Sequence, residues 1–224
     1  MDKADSFKPS DVQLLDSQLS YDGFYQIKNL TLSHRLFAGG WSGEVTRELF
    51  VRPEAVGVLL YDPKLDTVAL IEQFRVGAFG HINLKQSSDS PWLLELVAGL
   101  IDKEETVTEV AKRESLEEAG VEVLMLEPIH RFYSSPGGST EYCYLFCGCA
   151  DLSRTGGLHG LDEESEDIKV HVFSFEQCQQ LLDKGEIING LTLISLQWLV
   201  IHHTDIRQRW LNELDEPAVR GCEE

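Results

Sequence analysis

The residues with the most evident chemistry are carboxylates gathered in one short segment. Between Val107 and Ala119 runs VTEVAKRESLEEA, in which Glu114, Glu117 and Glu118 follow Arg113. At ~100° per residue, Val107, Val110 and Ala111 fall on one helical stripe, and Glu114 and Glu118 lie within ~20° of its centre. Glu117 lies to one side and Leu116 points almost opposite. A stripe that passes from apolar to acidic is costly to bury, because an unpaired carboxylate loses its hydration without replacement. Solvent, arginine partners or cations can offset that cost. Either the helix end is solvated with Arg113 pairing Glu117, or carboxylates at i and i+4, with another at i+3, gather hard oxygen ligands for a cation such as Mg²⁺. The helix geometry alone leaves both open.

Other residues could take part in such chemistry. The run Asp162–Asp167, DEESED, reads by itself as a solvated loop, and beside bound cations as a source of a general base. In SSPGGSTE, Pro136 presets φ while Gly137 and Gly138 turn the chain or admit a ligand close to the backbone. Arg47, Arg52 and Arg75 lie in strand-like segments, where an arginine forms a surface ion pair or recognises phosphate. The seven histidines form no metal-binding spacing, and His159, nearest the acidic run, reads as a structural hydrogen-bonder. Five cysteines, Cys143, Cys147, Cys149, Cys178 and Cys222, fit neither a disulfide framework nor a zinc knuckle. Within YCYLFCGCA they serve as small buried hydrophobes, reduced as in the cytosol.

Composition narrows the partners. The chain has 224 residues, 42% of them hydrophobic, and a net charge of −19. That size supports one generous domain, or a domain with an appendage. The charge opposes a nucleic-acid duplex but not a small phosphorylated substrate, since cations invert the local sign. MDKADSFKPSD lacks a signal peptide's apolar stretch, and Leu191–Ile201 is too short to span a bilayer. A soluble, cytoplasmic protein with no membrane or nucleic-acid partner is expected.

The elements that must hold these residues are legible in outline. Residues 1–52 carry short strand-like runs, FYQIKNLTLSH and EVTRELF, with too few apolar residues for a core. This small antiparallel sheet must lean on the main domain or on a second subunit. Residues 53–213 form that domain, opening with AVGVLLYD and TVALIEQFR around the turn DPKLD. GHINLKQSSDS reads as a surface loop, and WLLELVAGL as a strand. Thr106 and Glu109 make a capping box for the acidic helix, and Gly120 is placed to end it. Strands follow at 121–125, 129–133, 142–149 and 168–173, then helices at 175–184 and 192–213, and a loose tail at 214–224. The order predicts an α/β (α+β) fold, a mixed sheet sandwiched between helices.

The wider spacing around the helix resembles a known signature. Gly99, Glu105, Arg113, Glu114, Glu117, Glu118, Gly120 and Val121 meet eight of the nine fixed positions of G-x5-E-x7-R-E-U-x-E-E-x-G-U, the pattern of the Nudix hydrolases. Ser115 stands at the ninth, where a bulky aliphatic residue is usual; this touches packing rather than ligands. The resemblance implies the Nudix fold and hydrolysis of a diphosphate linkage. Within that family, YDGFYQI, HRLFAGG, EVTRELF, IEQFRVGAF, PWLLELVAGLI, SSPGGSTE and LHGLDEESEDIKVHV resemble the bacterial ADP-ribose pyrophosphatases, as does Pro136 sixteen residues after Gly120.

That subfamily resemblance implies roles. Glu114, Glu118 and the backbone carbonyl of Ala98 would hold Mg²⁺, with two or three ions per site and Mn²⁺ able to substitute. Glu166 would join once substrate is bound, and Glu117 would share a second metal or orient a ligand. Glu164 would be the base that activates water, while Arg113 orients the cluster through Glu105 or Glu117. Arg47, Glu48, Arg52 and Arg75 would hold adenine, ribose and diphosphate, and Ser135 would lie near the terminal ribose. Phe24 and Tyr25 would come from the partner subunit of a homodimer with shared active sites. The implied reaction cleaves ADP-ribose to AMP and ribose 5-phosphate. Two rivals stand beside it: hydrolysis of other nucleoside diphosphate sugars, and a non-catalytic module that senses ADP-ribose.

Overall fold

The computed structural model describes residues 7–101, 104–161 and 165–216. The chain divides into two compact units, one running to Glu54 and including Phe132–Cys143, the other comprising Ala55–Arg131 and Tyr144 onward. In the first unit, β1 (Val12–Asp22), β2 (Gln26–His34) and β3 (Val45–Val51) form an antiparallel sheet in that order. All eleven residues of β1 are exposed, including Val12, Leu14, Leu15, Leu19 and Tyr21. The turn of SSPGGSTE belongs to the same unit, with the Phe50 N–H donating to the Gly138 carbonyl and the Thr140 N–H to the Phe50 carbonyl.

The second unit is built on an eight-stranded sheet. Its strands are β4 (Ala55–Asp62), β5 (Thr67–Phe74), β6 (Trp92–Glu95), β7 (Val97–Leu100), β8 (Met125–Tyr133), β9 (Tyr142–Cys149), β10 (Gly157–His159) and β11 (Ile168–Ser174). The order is β10-β11-β5-β4-β9-β8, with β6 paired to β5 and β7 to β4. The tips of β8 and β9 fall in the first unit. β4 and β5 pair only near their shared turn, from Leu60 with Ala69 to Asp62 with Thr67. Beyond that they part, and WLLELVAGL fills the gap. Its first half pairs with β5, from Phe74 opposite Trp92 to Ile71 opposite Glu95. Its second half pairs with β4, from Val58 opposite Val97 to Ala55 opposite Leu100. At the break, the Leu96 N–H turns to the Thr192 hydroxyl at 2.9 Å. One expected strand is therefore two, and the crossing brings Ala98 and Gly99 onto the line of the acidic helix.

Helices cover both faces of the sheet. On one side Val56, Val58, Leu60, Ala69 and Ile71 pack with Val110, Ala111 and Ala119 of α2 (Val107–Ala119). On the other, Tyr61 meets His203 and Trp210 of α4 (Gly190–Asp215), beside which lies α3 (Phe175–Asp183). Tyr61 and His203 both hydrogen-bond to Asp66 in the β4–β5 turn, which pins α4 to the hairpin. The described cysteines, Cys143, Cys147, Cys149 and Cys178, are buried and unpaired; Cys222 lies outside the described residues. Among the described residues, no helix is long and apolar enough to cross a membrane.

The sequence expectations need adjusting in three further places. GHINLKQSSDS is half helix, because α1 (Val76–Lys85) runs through Gly80–Lys85 and ends at Gln86 in the left-handed region. No residue of α1 is buried, so it lacks the stripe of apolar periodicity that marks a helix in sequence. Residues 121–124 are not strand: Gly120 and Val121 donate back to Leu116 and Ser115 in a helix-ending motif, and β8 begins at Met125. The last helix reaches Asp215, and residues 217–224 lie outside the described part.

The start of α2 is set by local chemistry. Thr106 accepts from the Glu109 N–H and Glu109 accepts from the Thr106 N–H, the expected box. Replacing Thr106 by Ala is expected to lower unfolding free energy by about 1 kcal/mol in urea titration. An unchanged midpoint would show that the cap contributes nothing.

Candidate active site

The site grows from the apolar-to-acidic stripe of α2. Val110 and Ala111 are fully buried, Glu118 is 2% exposed, and Leu116 on the opposite side is 60% exposed. The Glu118 carboxylate is thus carried into the interior with the helix face, where its Oε2 accepts from the Ala98 N–H at 2.9 Å. Burial pushes its pKa up to about 8; the Ala98 bond works against the rise, and Glu114 and Glu166 add to it. Glu114 is raised for the same first reason, with Arg113 opposing and Glu117 and Glu166 reinforcing. Glu114 lies directly over Gly99, where an added Cβ would overlap its carboxylate. Glycine there allows this close approach, and a Cβ would displace the Glu114 side chain; no left-handed backbone is involved.

Arg113 holds the outer side of this cluster. Its Nε and Nη2 bond Glu105 at 2.7 and 3.0 Å, and Nη1 bonds Glu114 at 2.7 Å and Glu117 at 2.9 Å. The sequence offered Glu105 or Glu117; the structure uses both, and Glu114 as well. Glu117 is therefore tied to Arg113, while its carbonyl accepts from the Gly160 N–H at 3.4 Å. That contact ties the start of the acidic loop to the end of α2. At the loop's far end, Glu166 bonds Leu161 through both its N–H and its carboxylate. His159 packs under Gly120 with its ring bonded to the Gly156 carbonyl, a structural part as expected. Asp162, Glu163 and Glu164 lie outside the described residues, so the expected base has no described position.

Arg75 caps the end of β5 and reaches Glu95, with Nε and Nη2 at 2.8 and 2.5 Å from Oε2. Its burial works against the charge, but the Glu95 carboxylate more than compensates and holds its pKa above the ordinary arginine value. Glu118 and Glu166 act on it in the same direction. Glu95 and its further partner Asn189 were missed by sequence reading. A glutamate inside the apolar run WLLELVAGL is a signal that could have found the first, since a buried carboxylate needs a partner.

The described residues of this unit fit a divalent cation in kind: Glu114, Glu118 and Glu166 offer only oxygen donors, and burial raises the pKa of the first two, with the neighbouring carboxylates adding to the rise. Among the described residues no three acidic, His or Cys side chains converge as a ready-made cage.

The remaining expected residues lie in the first unit. Arg52 bonds Glu141 at 2.8 Å and the Tyr25 hydroxyl at 3.4 Å, and its guanidinium lies 4.9 Å from the centre of the Tyr25 ring. Phe24 packs edge-on against Tyr25 and is 83% exposed. Arg47 and Glu48 are consecutive on β3 and exposed, so they point to opposite faces, and Arg47 bonds only its neighbour's carbonyl among the described residues. Ser135 is exposed, and its carbonyl accepts from Gly138 and Ser139 to close the turn. Tyr25 and Arg52 are brought together; Arg47, Glu48 and Ser135 make no side-chain contact with them among the described residues.

Comparison with known proteins fits this geometry. Residues 51–191 match the NUDIX domain family. The chain is 46% identical over 210 residues to the ADP-ribose pyrophosphatase of Haemophilus influenzae, covering 94% of this chain and 95% of that one. It is 42% identical over 205 residues to the ADP-ribose pyrophosphatase of Escherichia coli K12, covering 92% and 95%. A GDP-mannose pyrophosphatase of Escherichia coli is 33% identical over 198 residues, covering 86% and 96%. A crystal structure of an ADP compounds hydrolase superposes with TM-score 0.62 at 18% identity, covering 95% of this chain and 100% of that one, and shares the fold.

The raised pKa of Glu118 has a consequence for stability. Its carboxyl titrates near 4.5 when unfolded and about 8 when folded. Between those values the folded state holds the extra proton, so this group's contribution is lost as pH rises from 4.5 toward 8. A divalent cation should raise Tm, and more at pH 8 than at pH 6. Glu118→Gln should flatten the pH slope and shrink the cation effect in calorimetry. An unaltered slope in that variant would sink this account.

Proposed function

The chain belongs to the NUDIX domain family and is a divalent-metal-dependent hydrolase of pyrophosphate bonds, and on that premise we propose that it cleaves ADP-ribose to AMP and ribose 5-phosphate with Mg²⁺ as its cation. The observation that carries the substrate assignment is the 46% identity, across 94% of the chain, to an ADP-ribose pyrophosphatase. The acidic wall of α2 supports the chemistry. Glu114, Glu118, Glu166 and the Ala98 carbonyl would hold the cation, with Arg113 fixing Glu114 and Glu117 from outside. When bound, the ion would supply positive charge to the diphosphate oxygens and acidity to a nearby water. Glu164 is the general base that accepts the proton of the attacking water, and Arg75 draws in the diphosphate, where a planar guanidinium matches the oxygen geometry. Arg52 offers a cation to the nucleoside, with Phe24 and Tyr25 supplied by the second copy of the chain and Arg47, Glu48 and Ser135 as further contacts.

The working form is a homodimer with shared active sites. A three-stranded sheet whose edge strand exposes Val12, Leu14, Leu15, Leu19 and Tyr21 has apolar surface that a second copy would cover. Sedimentation showing a monomer at micromolar concentration would overturn this assembly. Residues 1–52 are its dimerisation region and 53–213 its catalytic domain, and the cytoplasm is its compartment, in keeping with four buried unpaired thiols.

A second reading, hydrolysis of GDP-linked hexoses, is favoured by the 33% identity to a GDP-mannose pyrophosphatase. Assay of the pure protein on a panel of nucleoside diphosphate sugars with Mg²⁺ decides between them. ADP-ribose is expected to give the highest kcat/KM, and preference for a GDP-sugar would transfer the assignment. Glu164→Gln should keep substrate affinity and lower kcat by roughly 10²-fold or more; undiminished turnover would move the base to another carboxylate of the loop.

A further inference from the structure

Arg75 stands where an arginine should go astray. Glu118 and Glu166 pull on its charge through space, and its side chain is long and 40% exposed. An arginine that swung onto those carboxylates would neutralise the oxygens needed for a cation. In the structure it is held elsewhere. Glu95, whose side chain is 4% exposed, takes both Nε and Nη2 on one oxygen. Nη1 has no partner among the described residues, so one edge of the guanidinium is fixed and the other is open.

Glu95 is held in turn. Its second oxygen accepts from Asn189 Nδ2 at 3.0 Å. Asn189 is the N-cap of α4, and its Oδ1 accepts from the Thr192 N–H and the Thr192 hydroxyl, each at 3.0 Å. The same hydroxyl accepts from the Leu96 N–H at 2.9 Å, at the break between β6 and β7. The chain of bonds runs from the backbone that leads into Ala98, through the start of the longest helix, to the arginine. Asn189 thus has two separable tasks: its oxygen caps a helix, and its nitrogen orients Glu95.

We propose that Glu95 and Asn189 are positioning residues that hold Arg75 away from the acidic cluster, with its Nη1 edge open to a diphosphate oxygen of the substrate. This rests on the reading that Arg75 meets the diphosphate. Glu95 acts as a diverting carboxylate, buried and fully bonded, so that substrate rather than Glu118 or Glu166 receives the open edge.

The test uses a cap that lacks the amide nitrogen. Asn and Ser are comparable N-caps, so Asn189→Ser keeps the cap and loses the donor to Glu95. Steady-state kinetics on the full-length protein should show KM raised about tenfold, the scale of one hydrogen bond to a charged group. kcat should stay within about twofold and Tm within a few degrees. Asn189→Ala, which also loses the cap, should lower Tm further without a larger KM effect. In an Arg75→Met background, Asn189→Ser should have no further effect on KM, because the two act through one contact. Unchanged KM in Asn189→Ser, or full additivity with Arg75→Met, would overturn the proposal. If Arg75→Met alone leaves KM at the wild-type value, Arg75 does not meet the diphosphate and the proposal falls, while the ADP-ribose assignment stands. If the wild-type protein prefers another diphosphate, the series is read on that substrate and only the assignment changes.

Discussion

The bond between the Ala98 N–H and the buried Glu118 carboxylate governs the arrangement around it. A single neutral donor cannot replace the hydration lost by a carboxylate. The neighbourhood does little to help, since Glu114 and Glu166 bring more negative charge. The positive groups at hand bond other carboxylates: Arg113 bonds Glu105, Glu114 and Glu117, and Arg75 bonds Glu95 and acts on Glu118 only through space. The apolar residues of α2 drag Glu118 inward on the same face, so folding itself buries the charge.

The sheet makes that bond possible. Were β4 and β5 paired along their whole length, no strand could pass between them to present Ala98 and Gly99 to the helix. Their parting beyond Leu60 and Ala69 opens the slot, and the break at Leu96 lets one segment serve both neighbours. The Leu96 N–H freed by this break is satisfied by Thr192, so the defect in the ladder also docks α4. Backbone pairing, helix docking and the acidic wall share one short stretch of chain.

Much of this could be read from the sequence, because periodicity and capping are local. Val110, Ala111, Glu118 and Leu116 sit where a helical projection puts them, and Thr106, Glu109 and Gly120 bound the helix as their chemistry dictates. The exposed helix α1 was missed because nothing buried imprints a period on it. The break in WLLELVAGL was missed because an apolar run looks the same whether it has one partner strand or two. Glu95 and Asn189 are 94 residues apart in sequence, and such a pairing leaves no local trace. The Arg113 partners were half legible: helical spacing gives Glu117, while Glu105 depends on how the loop before α2 returns.

The contact of Glu114 with Gly99 bears on how this chain can drift over generations. Every single-base change in a glycine codon that replaces glycine introduces a side chain with at least a Cβ, and a Cβ at Gly99 forces the Glu114 side chain to shift. A replacement there therefore moves Glu114 from its place beside Arg113. Ser115, one residue along the same helix, is buried but bonds its own backbone at Ala111, and so can be exchanged for small apolar residues without disturbing a ligand. The two constraints thus differ in kind: one is set by space and displaces a carboxylate when broken, the other by packing and leaves that carboxylate in place.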